Sequence, residues 1–198
     1  MPRRFRKGLN VREITGLVFV TIIGLRLLVG YATHDPYKDR VEKFYEGSVE
    51  IKRVVDGDTI IIRQRDRNDN QLPNPPTYEA RLRLIGIDTP ETVKPDHPIE
   101  PFGPEASQFT KEFLSRGAAR LRLDRRRKDY YNRLLGYIYV GDEMLNIEIV
   151  RAGLARVSSY PGDNQSIERK LRKAEDEARQ AKMGIWSGSG QLVTESVD

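Results

Sequence analysis

The chain has no cysteine, two histidines and a single tryptophan among its 198 residues. Without cysteine there can be no disulfide, thiolate metal site or cysteine nucleophile, although the redox compartment stays open. His34 and His97 are too few and too far apart for a histidine metal centre or a catalytic triad, and they read as surface residues. Trp186, after Gly184, reads as an anchor for the last helix more readily than as a platform for a base. Net charge is also scarce in most of the chain. The total is +5 with a pI near 9.4, but of 34 basic and 29 acidic residues, six basic and one acidic lie in residues 1–26, so 28 of each remain in the rest. The high pI therefore describes the N-terminus, and a polyanion site in the body must come from local clustering.

What is present begins with a basic stretch, "MPRRFRKGLNVR", followed by the apolar run Ile14–Ala32. That run is near the length needed to cross a bilayer and is interrupted by Arg26, which lies past its middle and can snorkel. Residues 1–33 are expected to form a hydrophobic helix acting as a signal anchor, with the first residues cytoplasmic by the positive-inside rule, or else a cleaved signal peptide. A buried soluble helix is the plainer alternative. Residues 34–46 read as a polar linker or short helix, residues 47–188 as the folded domain, and residues 189–198 as a flexible tail.

Strand and helix patterns alternate through the body. "GSVEIKRVVDGDTIIIRQR" suggests two strands joined at Asp56-Gly57. A polar, proline-rich loop follows, from Gln64 to Pro76. "YEARLRLIGID" places Ala80, Leu82 and Leu84 on one face and Arg81 and Arg83 on the other. "GPEASQFTKEFLSRG" is a helix with Pro104 in its first turn and Ala106, Phe109 and Phe113 as its buried stripe. "ARLRLD" and "RLLGYIYV" are strands linked through "RRRKDYYN", and "NIEIVRAG" is a short helix. In the last helix Ser166 can serve as cap and Ile167, Leu171, Ala174, Ala178 and Ala181 recur at helical spacing. The sum is an α+β fold, a five-stranded barrel of the OB type with about three packed helices, preceded by the N-terminal hydrophobic helix.

Acids stand at strand ends. Asp56 and Asp58 flank Gly57, Asp88 closes "LIGID", and Glu91 follows three residues later. Carboxylates from different strand ends, with backbone carbonyls nearby, are hard oxygen donors of the kind Ca²⁺ takes. Each motif also has a plain reading, because Asp-Gly is a common hairpin turn and "DTPE" a common cap or turn. The run Arg125, Arg126, Arg127, Lys128, together with Arg120 and Arg122, is either a phosphate track with Tyr130 and Tyr131 as stacking faces or a solvated loop balanced by Asp124 and Asp129.

"DGDT", "RLRLIGIDTPET", "FGPEASQFTKEFL", "YNRLLGYIYVGDEMLNIEIVRAGLARV" and "AEDEARQAKMGIW" occur in the order seen in the thermonuclease family, the staphylococcal-nuclease-like phosphodiesterases of OB fold, and the chain resembles that family from about residue 47 to 188. The resemblance implies a Ca²⁺ held by Asp58, Asp88 and the carbonyl of Thr89, with Asp56 shaping the site without binding. It implies Glu91 as general base, Arg83 and Arg133 gripping the scissile phosphate, and Tyr131 and Tyr160 lining a nucleotide pocket. DNA and RNA are the implied substrates, the membrane a partner through the N-terminal helix, and the protein a monomer. The pattern also departs from the family: the loop Gln64–Pro76 is long, Tyr130 stands where lysine is common, and Ser158 and Ser159 occupy positions near the pocket that often carry an aromatic. A nonhydrolytic binding module of the same fold is the alternative function, but such a module has no need to keep Asp58, Asp88, Glu91, Arg83 and Arg133 together.

Overall fold

In the computed structural model, which describes residues 41–67, 73–92 and 99–188, the β-branched run "TIII" lies at the heart of a hairpin. Strand β1 (Gly47–Asp56) pairs antiparallel with β2 (Thr59–Arg65), and Asp56 opposes Thr59, so the loop residues are Gly57 and Asp58. The turn thus falls one residue later than the sequence suggested. Nor does Gly57 serve by adopting a left-handed φ. A Cβ there would lie 2.8 Å from Cβ of Ala106 and 2.9 Å from the Thr89 side chain, so glycine is required by close packing.

Strand β3 (Thr77–Leu84) runs antiparallel to β2 from Arg65↔Thr77 to Thr59↔Arg83. Its alternation is as read: Ala80, Leu82 and Leu84 are buried, and Arg81 and Arg83 face outward. After the short β4 (Gly86–Asp88), strand β5 (Ala119–Lys128) pairs with β1, and β6 (Leu134–Val140) pairs antiparallel with β5 and parallel with β3. The parallel contact closes a barrel in the order β1-β2-β3-β6-β5. Two short strands, β7 (Glu143–Met144) beside β6 and β8 (Arg156–Ser158) beside β4, complete the pairing. Strand β5 is longer than "ARLRLD" suggested. It continues through the arginines to Lys128 across an irregular register, because alternation along a strand lets Arg126 and Arg127 find partners on opposite sides.

Three helices pack on the barrel. Helix α1 (Gly103–Ser115) has Pro104 in its first turn and buries Ala106, Thr110 and Phe113, with Phe109 partly covered. Helix α2 (Leu145–Arg151) is short, and its Asn146 is fully buried. Helix α3 (Gln165–Gln180) buries Ile167, Leu171, Ala174 and Ala178. Its cap is Asn164, whose side chain accepts from the N–H groups of Ser166 and Ile167, not Ser166 as expected. Trp186 lies between the guanidinium groups of Arg156 and Arg179, at 4.7 and 4.1 Å from their central carbons.

The end of the expected linker belongs to the packed domain. A single 3₁₀ turn, Val41–Lys43, precedes Phe44, and both Val41 and Phe44 are buried in the core. Gln64 fixes this segment by accepting from the Tyr45 N–H and donating to the carbonyls of Tyr45 and Ser48. The expected N-terminal hydrophobic helix, residues 34–40, His34, His97 and the tail 189–198 lie outside the described residues. Among the described residues no helix is long and apolar enough to cross a membrane.

Candidate active site

Three elements deliver the charged groups to one place. Asp58 sits in the β1–β2 loop, Arg83 near the end of β3 and Asp88 at the end of β4. One guanidinium joins the two acids: Arg83 Nη1 is ion-paired with Asp58 Oδ2, and Nη2 lies 2.7 Å from Asp88 Oδ1. Asp58 is 6% exposed and also accepts from the Thr89 N–H at 3.0 Å and the Thr59 hydroxyl at 2.9 Å. Burial pushes its pKa above the ordinary carboxylate range, against the opposing pull of Arg83 and those two hydrogen bonds. Asp88, by contrast, is open to solvent.

The turn that aims Asp88 is built by backbone and core. Gly86 (φ 80°) redirects the chain between β3 and β4, and a Cβ there would meet Leu171 at 2.6 Å. The preceding carbonyl, of Ile85, accepts from Nδ2 of buried Asn146 at 2.9 Å, and the Ile85 N–H donates to the Gly136 carbonyl at 3.1 Å. The Leu84 N–H donates to the backbone carbonyl of Asp58, tying the two acid-bearing segments together.

Asp56 does not touch Arg83. Its Oδ1 accepts from the Gly57 N–H at 2.9 Å, the Thr92 hydroxyl at 2.8 Å and the Ser107 hydroxyl at 3.3 Å. It thereby fastens the hairpin loop to α1 and to the segment after β4. Glu91 lies on that segment, half-buried, with its N–H donating to the Glu100 carboxylate and its carbonyl accepting from the Glu100 N–H.

Arg83 also forms one wall of an open cleft of about 210 Å³, shared with Arg133, Tyr131, Tyr160 and Arg126. Asp129 orients Arg133 by accepting from its backbone N–H at 2.9 Å and its Nε at 2.6 Å, while the guanidinium carbon sits 5.6 Å from the Tyr131 ring centre. Tyr131 and Tyr160 are largely exposed, as apolar faces awaiting a partner would be. Tyr130 is more exposed still and stands edge-on to Tyr131. Tyr160 is held by its N–H to Asp163 and by Arg126, which lies 4.9 Å from its ring centre and is itself paired with Asp163.

The structure thus brings Asp58, Asp88, Arg83, Arg133, Tyr131 and Tyr160 to one cleft and its rim, with Thr89 bonded to Asp58 and Glu91 two residues beyond it. Sequence reading did not single out Asp163 and Asn146, and it placed Arg126 and Asp129 in the basic run without their roles as holders. For Asp129 a signal existed, since aspartate two residues before an N–H that it can accept is a recurrent turn motif. The basic run divides its work: Arg120 donates to the Gly141 carbonyl, Arg127 to that of Phe44, Lys128 pairs with Glu42 and Arg126 with Asp163. Most of its cations are structural, so it is not a continuous track.

The donor chemistry suits a hard cation. Among the described residues no cluster of three or more acidic, histidine or cysteine side chains gathers as a ligand cage. Two carboxylates nevertheless converge on a single guanidinium, Asp58 on Nη1 and Asp88 on Nη2 of Arg83. Beside them the Thr89 hydroxyl is buried without a hydrogen-bond partner. Two carboxylates and a backbone carbonyl leave coordination positions for water and substrate oxygen, which fits a divalent ion with oxygen preference.

The sequence model of the family described as Staphylococcal nuclease homologue matches residues 81–188. The chain is 40% identical over 173 residues to a thermonuclease of Staphylococcus intermedius, covering 87% of this chain and 96% of that protein. It is 37% identical to a thermonuclease of Staphylococcus hyicus with the same coverage, and 35% identical over 147 residues to the endonuclease YncB of Bacillus subtilis, covering 74% of this chain and 64% of that one. With the closed barrel and the two acids paired to an arginine at the edge of the cleft, these likenesses show that the chain belongs to the staphylococcal nuclease family and is a phosphodiester-cleaving enzyme, a nuclease.

Proposed function

We propose that the enzyme hydrolyses phosphodiester bonds of DNA and RNA with little sequence specificity, that it requires Ca²⁺, and that it works outside the cytoplasm as a monomer. The observation that carries the catalytic part is the sharing of Arg83 between Asp58 and Asp88 at the edge of a cleft that also holds Arg133. Asp58, Asp88 and the Thr89 carbonyl would hold the cation. When bound, it would supply Lewis acidity to a phosphate oxygen and lower the pKa of a water.

The chain's own residues account for the remaining requirements. Displacement at phosphorus adds negative charge to the non-bridging oxygens, and two arginines from different elements can meet that charge from two sides. The planar guanidinium offers paired donors to phosphate at every working pH. Arg133 arrives pre-oriented by Asp129, so little ordering is left to the moment of reaction. Glu91, two residues beyond Thr89, is assigned the water's proton, or its orientation, on the strength of the family resemblance. Tyr131 and Tyr160 present π-faces to bases without reading their edges, which accounts for low sequence preference.

Place follows from the first residues. The basic stretch before Ile14–Ala32 supports a signal anchor with the nuclease domain extracytoplasmic, or a secreted enzyme if the segment is cleaved. The monomer reading is supported by the exposed tyrosines, which gather at the cleft instead of forming a separate flat face. Digestion of plasmid DNA and of RNA by the full chain, with Ca²⁺ or with chelator, tests the reading. Cleavage of both polymers with Ca²⁺ and none in chelator is expected, and equal rates in the two conditions would refute the metal assignment.

A further inference from the structure

The outer face of the β1–β2–β3 sheet is laid out in rows by its register. The first row reads Asp56–Thr59–Arg83, the second Arg53–Ile61–Arg81 and the third Glu50–Arg63–Glu79. Their electrostatic states differ. In the third row Arg63 is paired with both Glu50, at 3.6 Å, and Glu79, at 2.6 Å, so its charge is neutralised within the row. In the second row Arg53 and Arg81 are both exposed, and among the described residues neither has an ion-pair, hydrogen-bond or ring partner. Ile61 between them points away from the core cluster yet is only 3% exposed. Long arginine stems beside it can cover such a residue while their charged heads remain in water.

Two like charges flanking one position on neighbouring strands repel each other, and the sheet contains glutamates one row away that could have relieved them. The acids are instead committed to Arg63. Arg81 lies two residues from Arg83 on the same face of the same strand, about 6.6 Å along it. That is comparable to one step of an extended nucleic-acid backbone. The faces of strands 2 and 3 are, moreover, where barrels of this architecture commonly take oligonucleotides.

We propose that Arg81 and Arg53 form a subsite for the phosphate next to the scissile one, and that the substrate strand leaves the cleft across the second row of the sheet. The third row, whose two acids are matched by Arg63 and by Lys52, 3.3 Å from Glu50, offers phosphate no unpaired cation and ends the track there. Arg81 and Arg53 are therefore positioning residues that act on polymer length, not on the bond broken. The inference rests on Arg83 lying at the scissile phosphate, as argued above.

The test compares full-length wild type with the double variant R53Q/R81Q on a long single-stranded DNA and on a dinucleoside monophosphate, which carries the scissile phosphate alone. The ratio of kcat/KM for the long to the short substrate should fall about tenfold, mainly through KM. The slope of log kcat/KM against log salt on the long substrate should become shallower by about 0.7, the value for one phosphate on a single strand. R53K/R81K should restore both quantities towards wild type, since charge and not bidentate geometry is required. An unchanged ratio and slope, or equal losses on both substrates, would overturn the subsite. Arg83→Ala is the control that separates the two readings: if it leaves kcat unchanged on the dinucleoside monophosphate, the placement of Arg83 fails, whatever the double variant does.

Discussion

At the scale of single residues, the site combines a buried acid, an open acid and two arginines with different holders. Arg133 owes its orientation to Asp129 and Arg83 its position to Asp58 and Asp88, so both arrive pre-set for a charge that develops during reaction. Replacing Arg133 with alanine is expected to lower kcat by about 100-fold or more while leaving the fold intact. Arg133→Lys should also be poor, because an ammonium cannot offer two parallel donors. Wild-type kinetics from Arg133→Lys would mean that the residue only steers the polyanion. A second expectation concerns pH. Burial raises the pKa of Asp58, and a proton on Asp58 competes with a cation. Occupancy should therefore fall, as pH is lowered, while solvent-exposed carboxylates are still ionised. The apparent Ca²⁺ affinity measured against pH should show this acid limb above the ordinary carboxylate range. A pH-independent affinity through that range would contradict the assignment.

At the scale of elements, the strand ends matter more than the strands. Asn146 of α2 reaches across to the carbonyl of Ile85 and accepts, at 3.4 Å, from the Ile138 N–H, so one helix holds the turn that aims Asp88. Asn146→Ala leaves that carbonyl buried without a partner. It should cost about 1–3 kcal/mol in urea denaturation, and in the folded fraction it should weaken the apparent affinity for Ca²⁺. A stability loss with unchanged affinity would show that the turn holds its shape unaided. Period-two alternation in "ARLRL" reported the buried face of β3 correctly, because burial on one side of a pleated strand leaves no other solution. The acids were legible through their position at strand ends and through the family blocks around them. Two features were not. The hairpin turn shifted by a residue because packing against Ala106 and Thr89, which no local pattern encodes, governs Gly57. Strand β5 outran its apolar pattern because backbone pairing and long-range partners such as Asp163 sustain it past the last leucine.

At the scale of the whole molecule, the charge division sets the terms. With 28 acids and 28 bases beyond residue 26, the rest of the chain carries no formal excess of charge to draw polyanions indiscriminately, so attraction depends on local clusters such as the cleft. The basic excess lies instead with the apolar run Ile14–Ala32. If that run is an uncleaved anchor, the full chain should sediment with membranes and resist extraction by high salt, because hydrophobic attachment is not screened. Protease added outside intact cells should then remove the nuclease domain and spare a short N-terminal stub. A soluble mature protein beginning near Thr33 would establish secretion, and a protease-resistant domain in intact cells would overturn the topology. The proposed extracytoplasmic site would keep a nuclease of low specificity away from the cell's own nucleic acid and would give it access to Ca²⁺.

The central claim is that Asp58 and Asp88 together hold the cation on which cleavage depends. Calorimetric titration of Ca²⁺ into wild type, Asp58→Asn and Asp88→Asn, with a DNA digest of each in parallel, tests it most directly. One Ca²⁺ per chain in wild type, lost in both variants together with cleavage, is the expected result. Undiminished binding in either variant, or cleavage that persists where binding is gone, would contradict the account.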